Sequence, residues 1–149
     1  MEEQKQRDPR MHSAEHILNQ TMVRMFNRGR SFSAHVEKKK SKCDYHFDRN
    51  LTEDETREIE MRVNQVIKND MTVKEEFMDR AEADKQFQLE RLPDGVGDKI
   101  RIIRIGDYDA CACSGIHVNS TKEIGEFRII SSSYERGVLR LRFKLDQKE

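Results

Sequence analysis

An α+β fold, with antiparallel strands packed against helices, follows from three features of the sequence. Apolar residues recur at three- and four-residue steps in two stretches, as on helices. Several shorter stretches alternate apolar and polar residues, as strands do. The two kinds mix without a strand–helix–strand rhythm, which argues against a parallel α/β sheet. The chain has 149 residues, of which 35% are hydrophobic and 38% charged. That is polar but well patterned, and it predicts one domain over residues 1–149 with a sizeable core.

The first helix opens at Asp8-Pro9, an N-cap aspartate followed by proline at the first helical position. Met11, Ala14, Leu18, Met22 and Met25 mark its buried face, and Gly29 is the expected stop. Strands are expected over residues 31–36 and 43–47, with the lysine-rich stretch 37–42 as an exposed hairpin tip. Thr52-Glu53-Asp54-Glu55 is a capping box. The helix it starts carries Ile59, Val63, Val66 and Ile67 and ends near Asn69-Asp70. Met71, Val73, Glu75 and Phe77 then predict a half-buried strand. A short helix is expected over residues 79–88, a turn at Pro93-Asp94-Gly95 and an isoleucine-rich strand at 99–105. After a turn at residues 106–109, two strands close the chain, at 125–132 and 138–145, joined by Glu135-Arg136-Gly137. In the last strand, Leu139, Leu141, Phe143 and Leu145 face one way, and Arg140, Arg142 and Lys144 the other.

Twenty-eight basic and twenty-eight acidic residues cancel. Proteins that hold nucleic acid by charge alone are basic overall, so balance argues against a non-specific binder. No apolar run approaches the ~20 residues needed to cross a bilayer. Cys43, Cys111 and Cys113 are odd in number, and residues 1–10 are too charged for a signal peptide. A cytoplasmic protein in a reducing compartment is expected.

Two clusters carry the chemistry. His12-Ser13-Ala14-Glu15-His16 places two imidazoles at i and i+4 on the first helix, with Cβ atoms roughly 5–6 Å apart. Cys113-Ser114-Gly115-Ile116-His117 adds a thiolate and a third imidazole in a short loop. Together they form a zinc-type ligand set, and the expected metal ligands are His12, His16, Cys113 and His117. Cys111 is not assigned to the metal. The first cluster also reads as H-x-x-E-H, the inverted zinc-protease motif, with Glu15 as general base and Glu82 or Glu90 as a third ligand. That reading leaves Cys113 and His117 unexplained.

With these motifs, the chain resembles the editing domain shared by alanyl- and threonyl-tRNA synthetases, found alone in the free-standing AlaX-type editing proteins. The resemblance rests on H-x-x-x-H at His12 and His16, followed by C-x-x-x-H at Cys113 and His117. Ser33-Ala34-His35-Val36, the helix around Ile59–Ile67 and the tail from Ile124 to Ser133 continue it, the tail being nearer the alanyl branch. The family writes its second motif C-G-G-T-H, whereas Ser114 and Ile116 stand here.

The resemblance implies a zinc-dependent aminoacyl-tRNA hydrolase that cleaves the ester of mischarged Ser-tRNA(Ala), with Gly-tRNA(Ala) as a further substrate. The chemical reason is that a pocket shaped for alanine cannot strongly reject a side chain that merely adds a hydroxyl. Ser33 and His35, on the strand facing the first helix, are the expected substrate contacts. No residue is assigned as catalytic, and neither ATP nor a membrane is expected as a partner. The alternatives are a Ser-tRNA(Thr) deacylase and a non-catalytic zinc module that only binds RNA. Arg140, Arg142, Lys144 and the stretch Lys38–Lys42 are expected phosphate contacts.

Overall fold

A computed structural model describes residues 8–87, 89, 92 and 97–146. Among these residues, three α-helices and two antiparallel sheets bear out the α+β expectation. Helix α1 spans Pro9–Phe26. The Asp8 carboxylate accepts the Arg10 and Met11 amides, with Pro9 in the first turn. The helix ends earlier than Gly29. Asn27 adopts the left-handed conformation (φ 56°) and donates its N–H to the Val23 carbonyl at 2.9 Å, closing the last turn. Helix α2, Glu53–Lys68, starts with the Thr52–Glu55 capping box, and its buried residues are Ile59, Val63, Val66 and Ile67, as the periodicity required.

The first sheet has the order β1 (Ser33–His35), β2 (Ser41–His46), β7 (Val138–Leu145), β6 (Phe127–Glu135). One face of it supplies Cys43, Tyr45, Phe127, Leu139, Leu141 and Phe143 to the main core, beneath α1 and α2. Arg140, Arg142 and Lys144 project from the other face, as alternation dictates. The β6–β7 turn uses Arg136 (φ 51°) and Gly137 (φ 85°), the pair of positive φ angles that a two-residue hairpin favours.

The second sheet is β3 (Val73–Asp79), β4 (Lys99–Ile105), β5 (Asp109–Ala112). Helix α3, Arg80–Gln86, packs Ala83 against Ile100 and Ile102 on one face. That packing overturns the expected burial of Phe77. The helix covers the Met78 side, and Phe77, on the other, is 60% exposed. Helix α3 is shorter than residues 79–88 because Asp79 stays extended and pairs with Lys99. Gln88 and the turn at Pro93-Asp94-Gly95 lie outside the described residues. Asp109, expected as the last residue of a turn, opens a strand instead, since Asp109–Ala112 pairs with β4 before the second cluster begins. The expected strand at 125–132 runs later, over Phe127–Glu135, because it follows β7 across the whole hairpin.

Helix α1 is held by one polar side chain inside the core. Asn19 Oδ1 accepts the Ser31 N–H (2.9 Å) and the Tyr45 hydroxyl (2.9 Å), and Asn19 Nδ2 donates to Glu15 (2.7 Å). Asn19→Ala would orphan two buried donors at about 1–3 kcal/mol each. Urea unfolding should therefore show a loss on the order of 3 kcal/mol, and Tyr45→Phe a smaller one.

Candidate metal centre

Helix α1 presents His12 and His16 from one side, and the loop after β5 brings Cys113 and His117 against them. One donor atom from each of the four lies within 4.8 Å of every other. Cys113 Sγ is 3.5 Å from His12 Nε2 and 3.5 Å from His117 Nε2. A tetrahedral zinc ion, bonded at about 2.3 Å to sulfur and 2.0–2.1 Å to nitrogen, separates such donors by about 3.5 Å. The donor types and their spacing therefore fit zinc.

The outer nitrogens are held by the protein. His12 Nδ1 donates to the Ile116 carbonyl at 3.2 Å. His117 Nδ1 lies 3.0 Å from Ser13 Oγ, which also accepts the Val118 amide. His16 Nδ1 faces Cys111 Sγ at 3.2 Å and Asp109 Oδ2 at 3.7 Å. Such partners fix ring orientation and leave Nε2 for a metal. The loop itself is clamped by Arg101, which donates to the carbonyls of Cys113 (3.2 Å) and Gly115 (2.6 Å). Gly115 is required by contact rather than by conformation. A Cβ there would lie 2.2 Å from His12 Cε1.

Behind His16 sits a second group. The buried Asp109 carboxylate accepts from Arg30 (2.7 and 3.3 Å) and Gln20 (2.8 Å). Burial is the largest single influence on Arg30 and opposes its charge, but Asp109, Cys111 and Glu15 together outweigh it and raise its pKa. Burial pushes the Cys111 thiol well above its ordinary range, and Arg30 only partly offsets this. Cys111 also converges with His16 and Asp109 in a possible metal group. Strand alternation puts Asp109, Cys111 and Cys113 on one side of β5, and that signal was available in the sequence. Nothing local pointed to Arg30.

Three of the four donors, His12, His16 and Cys113, border a cavity of about 390 Å³ whose wall includes Glu15, Arg30, Ser31, Ala34, Phe87 and Ala112. Glu15 is buried, with Oε1 3.9 Å from His12 Nε2 and 4.0 Å from His16 Nε2. Glu82, the ligand that the protease reading required, is exposed on α3, and Glu90 lies outside the described residues. Ser33 and His35, the expected substrate contacts, are not among the residues that line this cavity. Their register with Asp44 and Lys42 turns them outward, His35 pairs with Glu37, and Ala34 between them faces the cavity.

Residues 100–142, which include Cys113 and His117, match the family described as the threonyl and alanyl tRNA synthetase second additional domain. The alanine–tRNA ligase of Methanopyrus kandleri is 32% identical over 145 residues, 95% of this chain and 16% of the relative. That of Archaeoglobus fulgidus is 38% identical over 141 residues, 92% and 16% respectively. The chain is homologous to one segment of the alanine–tRNA ligases. A bacterial relative, from Coxiella burnetii, is 33% identical over 125 residues, 83% of the chain and 14% of the ligase. The chain thus spans about a sixth of the length of these ligases. No described helix is long and apolar enough to cross a membrane.

Zinc titration against a chelating indicator should give one tight equivalent per chain. His12→Ala should abolish it. Gly115→Ala should weaken it by about 10–100-fold, as displacement of a ligand's supporting contact does, with little change in far-UV circular dichroism.

Proposed function

We propose that the protein is an aminoacyl-tRNA deacylase that edits mischarged alanine tRNA, with Ser-tRNA(Ala) as its substrate. The observation that carries this reading is the His/Cys cluster bordering a cavity large enough for an aminoacyl ester. The alanine–tRNA ligase homology supports the choice of tRNA. Zinc held by His12, His16, Cys113 and His117 would supply positive charge beside the ester carbonyl.

The chain's own residues supply the rest. Asn19 fixes the Glu15 carboxylate, and Glu15 Oε1 holds the attacking water and takes its proton. β5 is an edge strand. Asp109, Cys111 and Cys113 direct their peptide groups to β4, so those of Ala110 and Ala112 point outward to the cavity and orient the aminoacyl ribose. Ser31, rather than Ser33 or His35, meets the serine hydroxyl, because it lines the cavity and they do not. A buried site built to bond that hydroxyl discriminates against alanine, which would leave its polar groups unpaired.

Hydrolysis of Ser-tRNA(Ala) should far outpace that of Ala-tRNA(Ala) and Ser-tRNA(Thr). Glu15→Gln should slow it by about 10²-fold or more while zinc content stays unchanged. Preference for Ser-tRNA(Thr) would move the protein to threonine tRNA. If zinc is bound and none of the three esters is cleaved, the deacylase reading is wrong. The non-catalytic module then takes its place, and in that case His12→Ala should unfold the chain, because metal binding there is folding energy.

A further inference from the structure

The outer face of the four-stranded sheet sets cations side by side. Many exposed cations elsewhere are matched: Arg101 with Glu75, Arg104 with Glu76, Lys99 with Asp79, Arg62 with Glu58. On the sheet, the register sets Lys42 directly opposite Arg142, and Arg128 directly opposite Lys144. Cross-strand partners share a face at about 4.5–5.5 Å between Cβ atoms, where like charges are destabilising. Asp44 engages Arg140 through two bonds (2.7 and 2.9 Å), and Asp146 engages Arg128. Among the described residues, Lys42, Arg142 and Lys144 have no ion-pair partner. Lys38, Lys39 and Lys40 are exposed on the β1–β2 connection beside them. The chain as a whole is neutral, so this face concentrates uncompensated positive charge.

An exposed aromatic pair adjoins it. Phe32, 41% exposed, stacks on His46 with ring centroids 4.1 Å apart and planes 15° apart. His46 shares its face with Lys42 and Asp44. Phe32 follows Ser31, which lines the cavity. β1 is the edge strand between the two regions, with Ala34 towards the cavity and His35 towards the basic face. Unpaired lysine and arginine beside an exposed ring stack suit a nucleic acid that has both a phosphate backbone and an unpaired base.

We propose that this outer sheet face docks the acceptor helix of an RNA, in addition to the cavity that receives its end. Lys42, Arg142 and Lys144 meet backbone phosphates. The Phe32–His46 stack takes a base of the unpaired 3′ end as it rounds β1 towards the cavity. Arg140 is excluded as a phosphate contact, because Asp44 holds it. The proposal rests on the deacylase reading for the identity of the RNA.

The test is binding of an uncharged tRNA(Ala) transcript by fluorescence anisotropy across a potassium chloride series. Lys42→Gln/Arg142→Gln should weaken binding by roughly ten-fold or more near 0.1 M salt, and lower the slope of log K against log salt by about two. Arg57→Gln/Arg62→Gln on α2, with the same loss of charge, should bind as wild type does. The thermal midpoint of the sheet variant should not fall, since a like-charge contact is removed. Phe32→Ala should weaken binding of a hairpin RNA with an unpaired 3′ tail more than of the same hairpin without it. Wild-type affinity and slope in the sheet variant would overturn the docking face even if the protein deacylates. Binding that depends on the face, without hydrolysis, would uphold it and remove the deacylase reading alone. Preference for phosphatidylserine vesicles over tRNA, lost in the same variant, would also overturn it.

Discussion

The loop after β5 lies so close to helix α1 that a methyl group on Gly115 would overlap the His12 ring. This approach brings together ligands far apart in sequence, and much of the local structure serves it. Arg101 fixes the loop's carbonyls from the β4 side, Ile116 receives one imidazole, and Ser13 on the helix meets the other. The glycine does not serve a turn here. It makes room.

Such closeness has a cost, because α1 buries His12, Ser13, Glu15, His16 and Asn19 together with its apolar residues. Buried polar groups destabilise unless they are bonded. Among the described residues, no buried side-chain nitrogen or oxygen lacks a partner. Asn19 joins Glu15, Ser31 and Tyr45, and Asp109 joins Gln20 and Arg30. The helix is therefore held by apolar packing on the first sheet and by polar contacts towards both sheets.

Much of this was legible in the sequence. Asp8-Pro9, the Thr52–Glu55 box and the alternation of Val138–Leu145 are local signals, and local interactions decide those features. The ligand motifs were legible because i, i+4 spacing on a helix fixes side-chain direction. The failures share a cause. Phe77 has strand periodicity but no element over it, and periodicity does not say what covers a face. Strand position alone does not say which of Ser33, Ala34 and His35 faces the cavity, and it is Ala34 that lines it. Arg30 is joined to Asp109 by tertiary contact only, so no spacing rule could find it. Glu15 bonds Asn19 one turn further along the helix, but only tertiary burial shows that this pair faces inward.

The cavity lies on the seam between two sheets that are hydrogen-bonded separately. Among the described residues, no strand of one sheet pairs with a strand of the other. Side chains bridge the gap instead: Tyr108 to Thr21 at 2.6 Å, Arg24 to the Tyr108 carbonyl at 2.8 Å, and Arg30 and Gln20 to Asp109. Backbone ladders set distances that single substitutions rarely change, whereas side-chain bridges change with each residue. The width of this pocket is thus an adjustable dimension in an otherwise stiff frame. Lengthening or shortening one bridging side chain would retune the size of ligand accepted without cutting a strand.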